Sequence, residues 1–212
     1  MRLSTIEKKV NKLAKNWVGE KHIPSIIRQL NKEFARYIIY FKSCRYDQRF
    51  YEDHAVIVSA HYCPRISLGI PENIIVTLHF PVENKKAKIS PACAQNMAMK
   101  IIRAIHHEYR HQYQQRLRGF SNTKEYQTKD TDKNPERLQY FGNPHEIDAH
   151  AYETQAEKFN INKLRKAHKI SWRESEAVYM YRRHFRERDP KIWKKFLKKV
   201  YKNNGIKNII HC

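Results

Sequence analysis

Apolar residues recur at helical spacing through the N-terminal part of the chain. They follow one another at intervals of three or four positions: Ile6, Val10, Leu13 and Trp17, then Ile27, Leu30, Phe34 and Ile38. Such spacing places the apolar side chains on one face of an amphipathic helix. The pattern predicts helix from about Thr5 to Lys42, with a break at the Ile23–Pro24 step.

From Arg49 to Phe80 the apolar pattern changes. The segments HAVIVSAHY, residues 54–62, and NIIVTLHF, residues 73–80, are rich in β-branched and aromatic side chains, and the turn-rich segment CPRISLGIPE separates them. Residues of these types favour extended strands. We therefore expect two strands here, paired in a small sheet.

A helical pattern returns after the strands. Ser90–Pro91 provides an N-cap and a first-turn proline, and Gly119 provides a stop, so a helix is predicted as far as about Arg118. Residues 120–137 are polar and show no periodicity, which predicts a surface loop.

Three further helices are predicted beyond that loop. Asn143–Pro144 opens the first, whose core face would be formed by Ala149, Tyr152, Ala156 and Phe159. Two basic helices follow, at about 171–186 and 189–203.

Together these elements predict an α+β fold that is mainly helical with a small sheet. We expect an N-terminal helical segment at residues 1–42, a core at 43–160 that contains the strands and two helices, and basic C-terminal helices at 161–212. A chain of 212 residues is long enough to bury one such core. The three parts are expected to form one continuous globular unit.

The charge of the chain is strongly positive. There are 42 Lys and Arg residues against 21 Asp and Glu residues, which gives a net charge of +21. A basic surface of this kind attracts polyanions, so non-specific nucleic-acid binding is a candidate property. The C-terminal segments YMYRRHFRER and DPKIWKKFLKKVYKNN concentrate this charge between aromatic residues. The alternative is a solvated basic face on helices whose aromatic residues pack inward.

Cysteine usage and hydropathy bear on the compartment. Four scattered cysteines form no C-x-x-C pair, and no segment is apolar for long enough to act as a signal peptide or a membrane span. We expect a cytoplasmic protein with reduced thiols and no membrane partner. If the chain is encoded by a phage, the compartment would be the host cytoplasm or the virion.

The segment IIRAIHHEYRHQYQQRLRG contains the most specific chemical pattern. Within it, His107-Glu108-Tyr109-Arg110-His111 is an H-E-x-x-H motif on a predicted helix. Residues four apart share a helix face, so His107 and His111 can converge on one metal ion. His106 lies about 100° around the helix from His107 and is expected to stand outside such a site. The alternative is a polar patch on a histidine-rich basic helix.

A catalytic zinc usually has three protein ligands and a water. The candidate for the third ligand is Glu146, at the start of the helix that follows the loop, with His145 and Asp148 as lesser alternatives. His150 shares a face with Glu146 and could bind the metal or hydrogen-bond nearby. In a different interpretation, Asn143 caps the helix and Glu146 only satisfies backbone amides in a capping box.

The pair AIHHEYRHQYQ and NPHEIDAHAYE resembles the gluzincin type of zinc metallopeptidases, the zincins. It is most similar to their minimal forms in bacteria and phages, whose second helix carries an E-x-x-A core, here Glu146-Ile147-Asp148-Ala149. The resemblance covers roughly residues 73–159. Many members have Asp or Asn immediately after that alanine, whereas this chain has His150.

The resemblance implies a minimal zincin-like core with an active-site helix and a second ligand-bearing helix. His107, His111 and Glu146 would bind Zn2+, and Glu108 would be the general base for a zinc-activated water that hydrolyses a peptide bond. Tyr140, Tyr152 and His150 are candidates for the oxyanion donor. The strand at 74–80 would lie beside the cleft and pair with an extended protein or peptide substrate.

Two other functions remain open at this point. The chain could be a nucleic-acid-binding protein whose histidines are structural or hold a non-catalytic metal. It could also be a virion or other assembly protein that keeps a degenerate peptidase fold.

Overall fold

A computed structural model describes residues 3–45, 56–64, 72–80, 86–118, 135–168 and 175–204. The side chains of 157–168 are outside that description. The chain divides into two compact units, Met1–Tyr109 and Arg110–Cys212, and the long helix that carries the H-E-x-x-H motif runs through the boundary.

In its described residues, the first unit contains two amphipathic helices, five strands and the first part of a long third helix. Helix α1 (Leu3–Ala14) is followed by a 3-10 turn at Lys15–Trp17, strand β1 (Gly19–His22) and helix α2 (Ile23–Phe34). After a second 3-10 turn come the strands β2 (Ile39–Arg45), β3 (Ile57–Cys63), β4 (Asn73–Phe80) and β5 (Lys86–Ile89). Most of the apolar residues predicted at helical spacing are buried, namely Ile6, Val10, Trp17, Leu30 and Phe34. Leu13 and Ile27 are only partly buried, Ile38 is exposed, and Ile26 is buried in place of Ile27.

The strands form two small sheets. β1 and β5 are an antiparallel pair, and the other three strands are ordered β2-β4-β3. β4 is parallel to β2 and antiparallel to β3, with Tyr62 opposite Ile74. The predicted pairing of the segments at 54–62 and 73–80 is confirmed. β4 is central, however, so the strand expected to receive a substrate already has partners on both sides, whereas among the described strands β2 and β3 lie at the two edges of this sheet.

The prediction of helix from Thr5 to Lys42, with a break at the Ile23–Pro24 step, is wrong over two segments, Gly19–His22 and the part that follows Ile38. Gly19, with φ of 96°, turns the chain into β1, a charged strand that pairs with β5 and has no apolar signal of its own. Ile38, with φ of 59°, ends the second helical stretch in the left-handed region and starts β2. In β2, Ile39 and Phe41 are buried at the alternating spacing of a strand. Local periodicity misses both strands because long-range pairing creates them.

Helix α3 (Pro91–Arg118) has the predicted bounds. Its N-cap is Ser90, whose Oγ accepts a hydrogen bond from the Cys93 amide at 3.1 Å. Met97, Ile101 and Ile105 are buried along the first part of the helix. A stripe of apolar residues therefore leads along α3 to the motif. The predicted stop at Gly119 lies outside the described residues.

The second unit contains helices α4 (Pro135–Gly142), α5 (Pro144–His168), α6 (Glu176–Phe185) and α7 (Pro190–Asn203). The rings of Tyr181 and Phe196 stack at 3.9 Å, and the Tyr181 hydroxyl donates to the Phe141 carbonyl at 2.8 Å. The buried core shared by these helices contains Leu138, Ile147, Ala151, Ala177, Tyr181, Phe185, Phe196 and Val200.

The predicted helices of this unit are present in the described residues, and α4 was not predicted. The start predicted at about residue 171 for the second helix lies outside the described residues. α5 begins at Pro144 as expected, and α6 and α7 are capped by Ser175 and Asp189. On the predicted core face of α5, Ala149 and Ala156 are buried and Tyr152 is partly buried, while the side chain of Phe159 is outside the description. Most of the predicted loop at 120–137 is also outside the description, but residues 135–137 begin α4.

The architecture is α+β and mainly helical with small sheets, as predicted. Within the described part of the chain, no helix has both the length and the apolar character needed to cross a bilayer.

Candidate metal centre

The H-E-x-x-H motif lies in the middle of α3. His107 and His111 are one turn apart on this continuous helix and so share a face. His107 and Glu108 are 6% and 7% exposed, and His111 is partly buried. The motif is therefore not a solvated patch on the helix surface. Titratable groups buried to this degree need polar or charged partners.

Glu146 is directed by the start of α5 toward two histidines. Its Oε1 lies 3.2 Å from His111 Nε2, and its Oε2 lies 3.8 Å from His150 Nε2. The Asn143 amide, which a capping-box glutamate would bind, instead donates to the Tyr140 carbonyl at 3.1 Å. Glu146 thus presents each of its two oxygens to a separate imidazole.

The two distances around Glu146 can be compared with those expected for ligands of one metal ion and with those of a hydrogen bond. Two ligand atoms that are each about 2.0–2.1 Å from a tetrahedral zinc lie roughly 3.3 Å apart. A charge-assisted N–H···O hydrogen bond is shorter, about 2.7–2.9 Å. The 3.2 Å spacing is compatible both with two ligands of one ion and with a hydrogen bond, whereas the 3.8 Å spacing is longer than a hydrogen bond.

Gln114 determines which nitrogen of His111 faces Glu146. Its Oε1 lies 2.9 Å from His111 Nδ1, while its Nε2 donates to the His145 carbonyl and to Asp148 Oδ2, both at 3.1 Å. Because the amide nitrogen is committed as a donor, the amide oxygen must accept from Nδ1–H. In the neutral imidazole the lone pair is then on Nε2, the atom that faces Glu146.

Glu153 determines which nitrogen of His150 faces Glu146, as Gln114 does for His111. Its Oε1 lies 3.2 Å from His150 Nδ1, and Glu153 is 4% exposed. A carboxylate only accepts, so Nδ1 carries the proton and Nε2 again has the lone pair. When both imidazoles are neutral, the lone pairs of His111 and His150 are on Nε2, the atom of each ring that is directed toward Glu146. Such an arrangement of acceptors is stable when a cation lies between them.

Asp148 is occupied by other cationic partners. Its Oδ2 accepts from Arg110 Nε at 2.6 Å, and its Oδ1 accepts from Lys199 Nζ at 2.5 Å. Burial raises the pKa of this carboxyl, but the hydrogen bonds from Arg110, Lys199 and Gln114 outweigh burial and lower the pKa to about 2. Asp148 thus anchors α7 and Gln114, which argues against its alternative role as third ligand.

Glu108 accepts a hydrogen bond from the edge strand. Its Oε2 lies 2.7 Å from the backbone nitrogen of Tyr62 in β3. Tyr62 in turn donates its hydroxyl to Glu72 Oε2 at 2.8 Å. A backbone donor at this distance holds the Glu108 carboxylate in one orientation. The carboxylate is therefore placed beside the sheet edge on which an extended chain could pair.

The remaining sequence candidates are distributed as follows. His106 is buried with its Nε2 3.4 Å from Glu7 Oε1 of α1. The Tyr140 ring packs edge-on against His150 at 6.1 Å. Tyr152 lies beneath the Arg110 guanidinium at 5.3 Å, and burial raises the pKa of its hydroxyl. The His145 backbone amide donates to Asn143 Oδ1, and the His145 carbonyl accepts a hydrogen bond from Gln114 Nε2. Of the three oxyanion-donor candidates, His150 has a ring nitrogen, Nε2, directed toward Glu146 at 3.8 Å.

Sequence reasoning missed Gln114 and Glu153. Both lie three residues after the histidine that they contact, on the same helix as that histidine. The i, i+3 spacing was therefore visible in the sequence as H-x-x-Q and H-x-x-E. It was uninformative without the structure, because many polar pairs on a basic helix have this spacing.

Comparison of the chain with protein-family models, with curated proteins and with solved structures gave no match.

Proposed function

We propose that the chain is a zinc-dependent metallopeptidase. The observation that carries the proposal is the contact between His111 Nε2 and Glu146 Oε1 at 3.2 Å, on a helix that contains H-E-x-x-H. Glu146 and His111 supply two ligands, and His107, one turn earlier on the same face of α3, supplies the third. Zinc suits two imidazoles and one carboxylate, and the lone pairs around Glu146 fit a cation.

Glu108 is the general base of this proposal. When bound, zinc supplies Lewis-acid polarisation of a peptide carbonyl and lowers the pKa of a water molecule. Glu108 then accepts the proton from the attacking water and transfers it to the leaving amine. The Tyr62 amide supports this role, because it fixes one oxygen of Glu108 by a 2.7 Å hydrogen bond. Burial of Glu108 keeps the proton acceptor away from bulk solvent.

The proposed substrate is an extended segment of a peptide or protein. Among the described strands, β3 has a strand partner on one side only, and Tyr62 near its end contacts Glu108. An edge strand can pair with an extended peptide through main-chain hydrogen bonds. β3 therefore replaces the strand at 74–80 as the proposed substrate-binding strand.

Cleavage of a peptide library tests this function. The full-length chain, loaded with one equivalent of zinc, is incubated with a library of unstructured decapeptides, and mass spectrometry maps the products. We expect new termini that disappear after metal removal by a chelator and return with zinc. A zinc-loaded chain that produces no new termini from the library would contradict the proposal.

A second candidate function is non-specific binding of nucleic acid by the C-terminal helices. Between residues 182 and 202, nine Lys and Arg side chains are exposed, against two acidic residues. The Lys and Arg residues are Arg182, Arg183, Arg186, Arg188, Lys191, Lys194, Lys195, Lys198 and Lys202. A concentration of cations on two packed helices and the turn between them favours contacts to phosphates. We name this set the α6–α7 basic face.

We also propose a reducing compartment, the cytoplasm. Within the described part of the chain, Cys44, Cys63 and Cys93 form no disulfide. Thiols that remain reduced are typical of cytoplasmic proteins.

A further inference from the structure

We propose that His150 is a fourth protein ligand of the same metal ion, held in place by the buried carboxylate of Glu153. The inference rests on the proposed function only for the presence of a metal at Glu146. It concerns a position at which many zincins have Asp or Asn, whereas this chain has His150.

The first argument is the orientation of the ring. Glu153 Oε1 lies 3.2 Å from His150 Nδ1 and can only accept a hydrogen bond, so the proton is on Nδ1. A histidine that binds a metal through Nε2 typically donates its Nδ1–H to a carboxylate or a carbonyl. His150 and Glu153 form such a pair, and the buried position of Glu153 maintains it.

The second argument is the distance to Glu146. His150 Nε2 lies 3.8 Å from Glu146 Oε2, which is beyond hydrogen-bond range. A direct imidazolium–carboxylate hydrogen bond is therefore not what the structure contains. Two ligands of one zinc ion are expected roughly 3.3 Å apart, so a small closure around an ion would bring both atoms within bonding distance.

The third argument is the symmetry of the two histidines of this unit. His111 and His150 each face one oxygen of Glu146 with Nε2, and each has Nδ1 held by a residue three positions further on. His111 belongs to the H-E-x-x-H motif, and His150 reproduces its arrangement on α5. Because both rings have Nδ1 bound to a neighbouring side chain and Nε2 directed toward Glu146, we expect both to be ligands of the ion.

A fourth protein ligand changes the expected coordination. Hydrolytic zinc sites generally have three protein ligands, and zinc accepts a fifth ligand during catalysis. The additional imidazole is thus compatible with the proposed hydrolysis. It also predicts tighter metal binding than a site with two imidazoles and one carboxylate would have.

X-ray absorption spectroscopy of the full-length chain with one equivalent of zinc tests the proposal. Outer-shell scattering counts the imidazoles, and we expect three in the wild type and two in His150→Ala. His22→Ala removes an exposed histidine of β1 and serves as the matched control, with three imidazoles retained. The proposal is overturned if His150→Ala leaves the imidazole count unchanged.

Zinc affinity of Glu153 variants supplies a second measurement. Glu153→Ala removes the acceptor from Nδ1 and is expected to weaken zinc binding by about 10–100-fold. Glu153→Gln keeps an acceptor oxygen and is expected to restore most of the affinity. Equal affinities of the wild type and Glu153→Ala, with both chains folded by circular dichroism, would overturn the assignment.

The two proposals fail in different ways. Three imidazoles in the absorption spectrum without any peptide cleavage would contradict the peptidase and leave the His150 assignment intact. Cleavage with an imidazole count that His150→Ala does not alter would contradict the assignment and leave the peptidase intact.

Discussion

The Nδ1 atom of His111 lies 2.9 Å from Oε1 of Gln114, which is bound in turn to Asp148. Asp148 also binds Lys199 of α7 at 2.5 Å. The orientation of a proposed zinc ligand therefore depends on a chain of hydrogen bonds that ends at the C-terminal helix. Helix α7 supports the site as well as contributing to the basic surface.

Loss of the Gln114 side chain is expected to weaken metal binding. Gln114→Ala leaves the His111 imidazole free to rotate and to change tautomer, so the zinc dissociation constant should rise by about 10–100-fold. Competition with a chromophoric chelator measures this constant. Gln112→Ala, two residues earlier on α3, is the control of the same residue type. Equal losses in both variants would show that Gln114 has no special role.

Asp148→Asn is expected to destabilise the metal-free chain at neutral pH. The folded-state pKa of about 2 is below the usual value of 3.8, so the carboxylate contributes stability above about pH 4 and loses it as the pH falls toward 2. We expect a loss on the order of 2 kcal/mol at pH 7 that shrinks toward zero near pH 2. Urea unfolding of both chains across this range, with chelator present, measures the difference.

A difference between wild type and Asp148→Asn that stays constant from pH 7 to pH 2 would contradict the ionised state assigned to Asp148. It would mean that the asparagine acts through packing alone.

Tyr181→Phe is expected to destabilise the second unit without affecting zinc affinity. The Tyr181 hydroxyl donates to the carbonyl of Phe141 in the last turn of α4, where helix carbonyls have no partner within the helix. Removing a buried donor of this kind costs about 1–2 kcal/mol. Urea unfolding measures the loss, and chelator competition checks the affinity. Unchanged stability would show that the Phe141 carbonyl finds another donor.

The α6–α7 basic face is expected to determine the salt dependence of DNA binding. Replacing Lys194, Lys195 and Lys198 with alanine should reduce the slope of log K against log salt by up to about three units, since each phosphate contact contributes roughly 0.9. Fluorescence anisotropy with a 30-base-pair duplex of arbitrary sequence measures it. Alanine at Lys8, Lys12 and Lys15, exposed lysines in the N-terminal unit, is the control with matched charge. Equal slopes for the two triple variants would contradict a localised face.

The sequence predicted the elements whose pattern is local. α3 could be placed at both ends because Ser90–Pro91 and Gly119 are local signals that flank it in the sequence, and β4 could be placed because its apolar residues are nearly continuous. β1 could not be predicted, because Gly19–His22 is charged and becomes a strand only by pairing with β5. The chain reversal at Ile38 has no sequence signal either, since a β-branched residue rarely adopts a positive φ.

In the candidate site, too, the residues with a local sequence pattern could be predicted and those recognised only by their spatial position could not. The H-E-x-x-H spacing and the helix start at Pro144 identified His107, His111 and Glu146 as candidates from local patterns. The partners that orient the histidines, Gln114 and Glu153, have the same i, i+3 spacing as many surface pairs, so only their position beside the histidine nitrogens distinguishes them.

Hydrolysis by Glu108→Gln is the measurement that tests the peptidase most directly. Glutamine preserves the shape of the side chain and leaves the proposed ligands in place, but it cannot accept the proton of the attacking water. With one zinc per chain in both proteins, confirmed by elemental analysis, we predict that Glu108→Gln cleaves the peptide library at least about 100-fold more slowly than the wild type. Equal cleavage rates at equal zinc content would contradict the proposed mechanism.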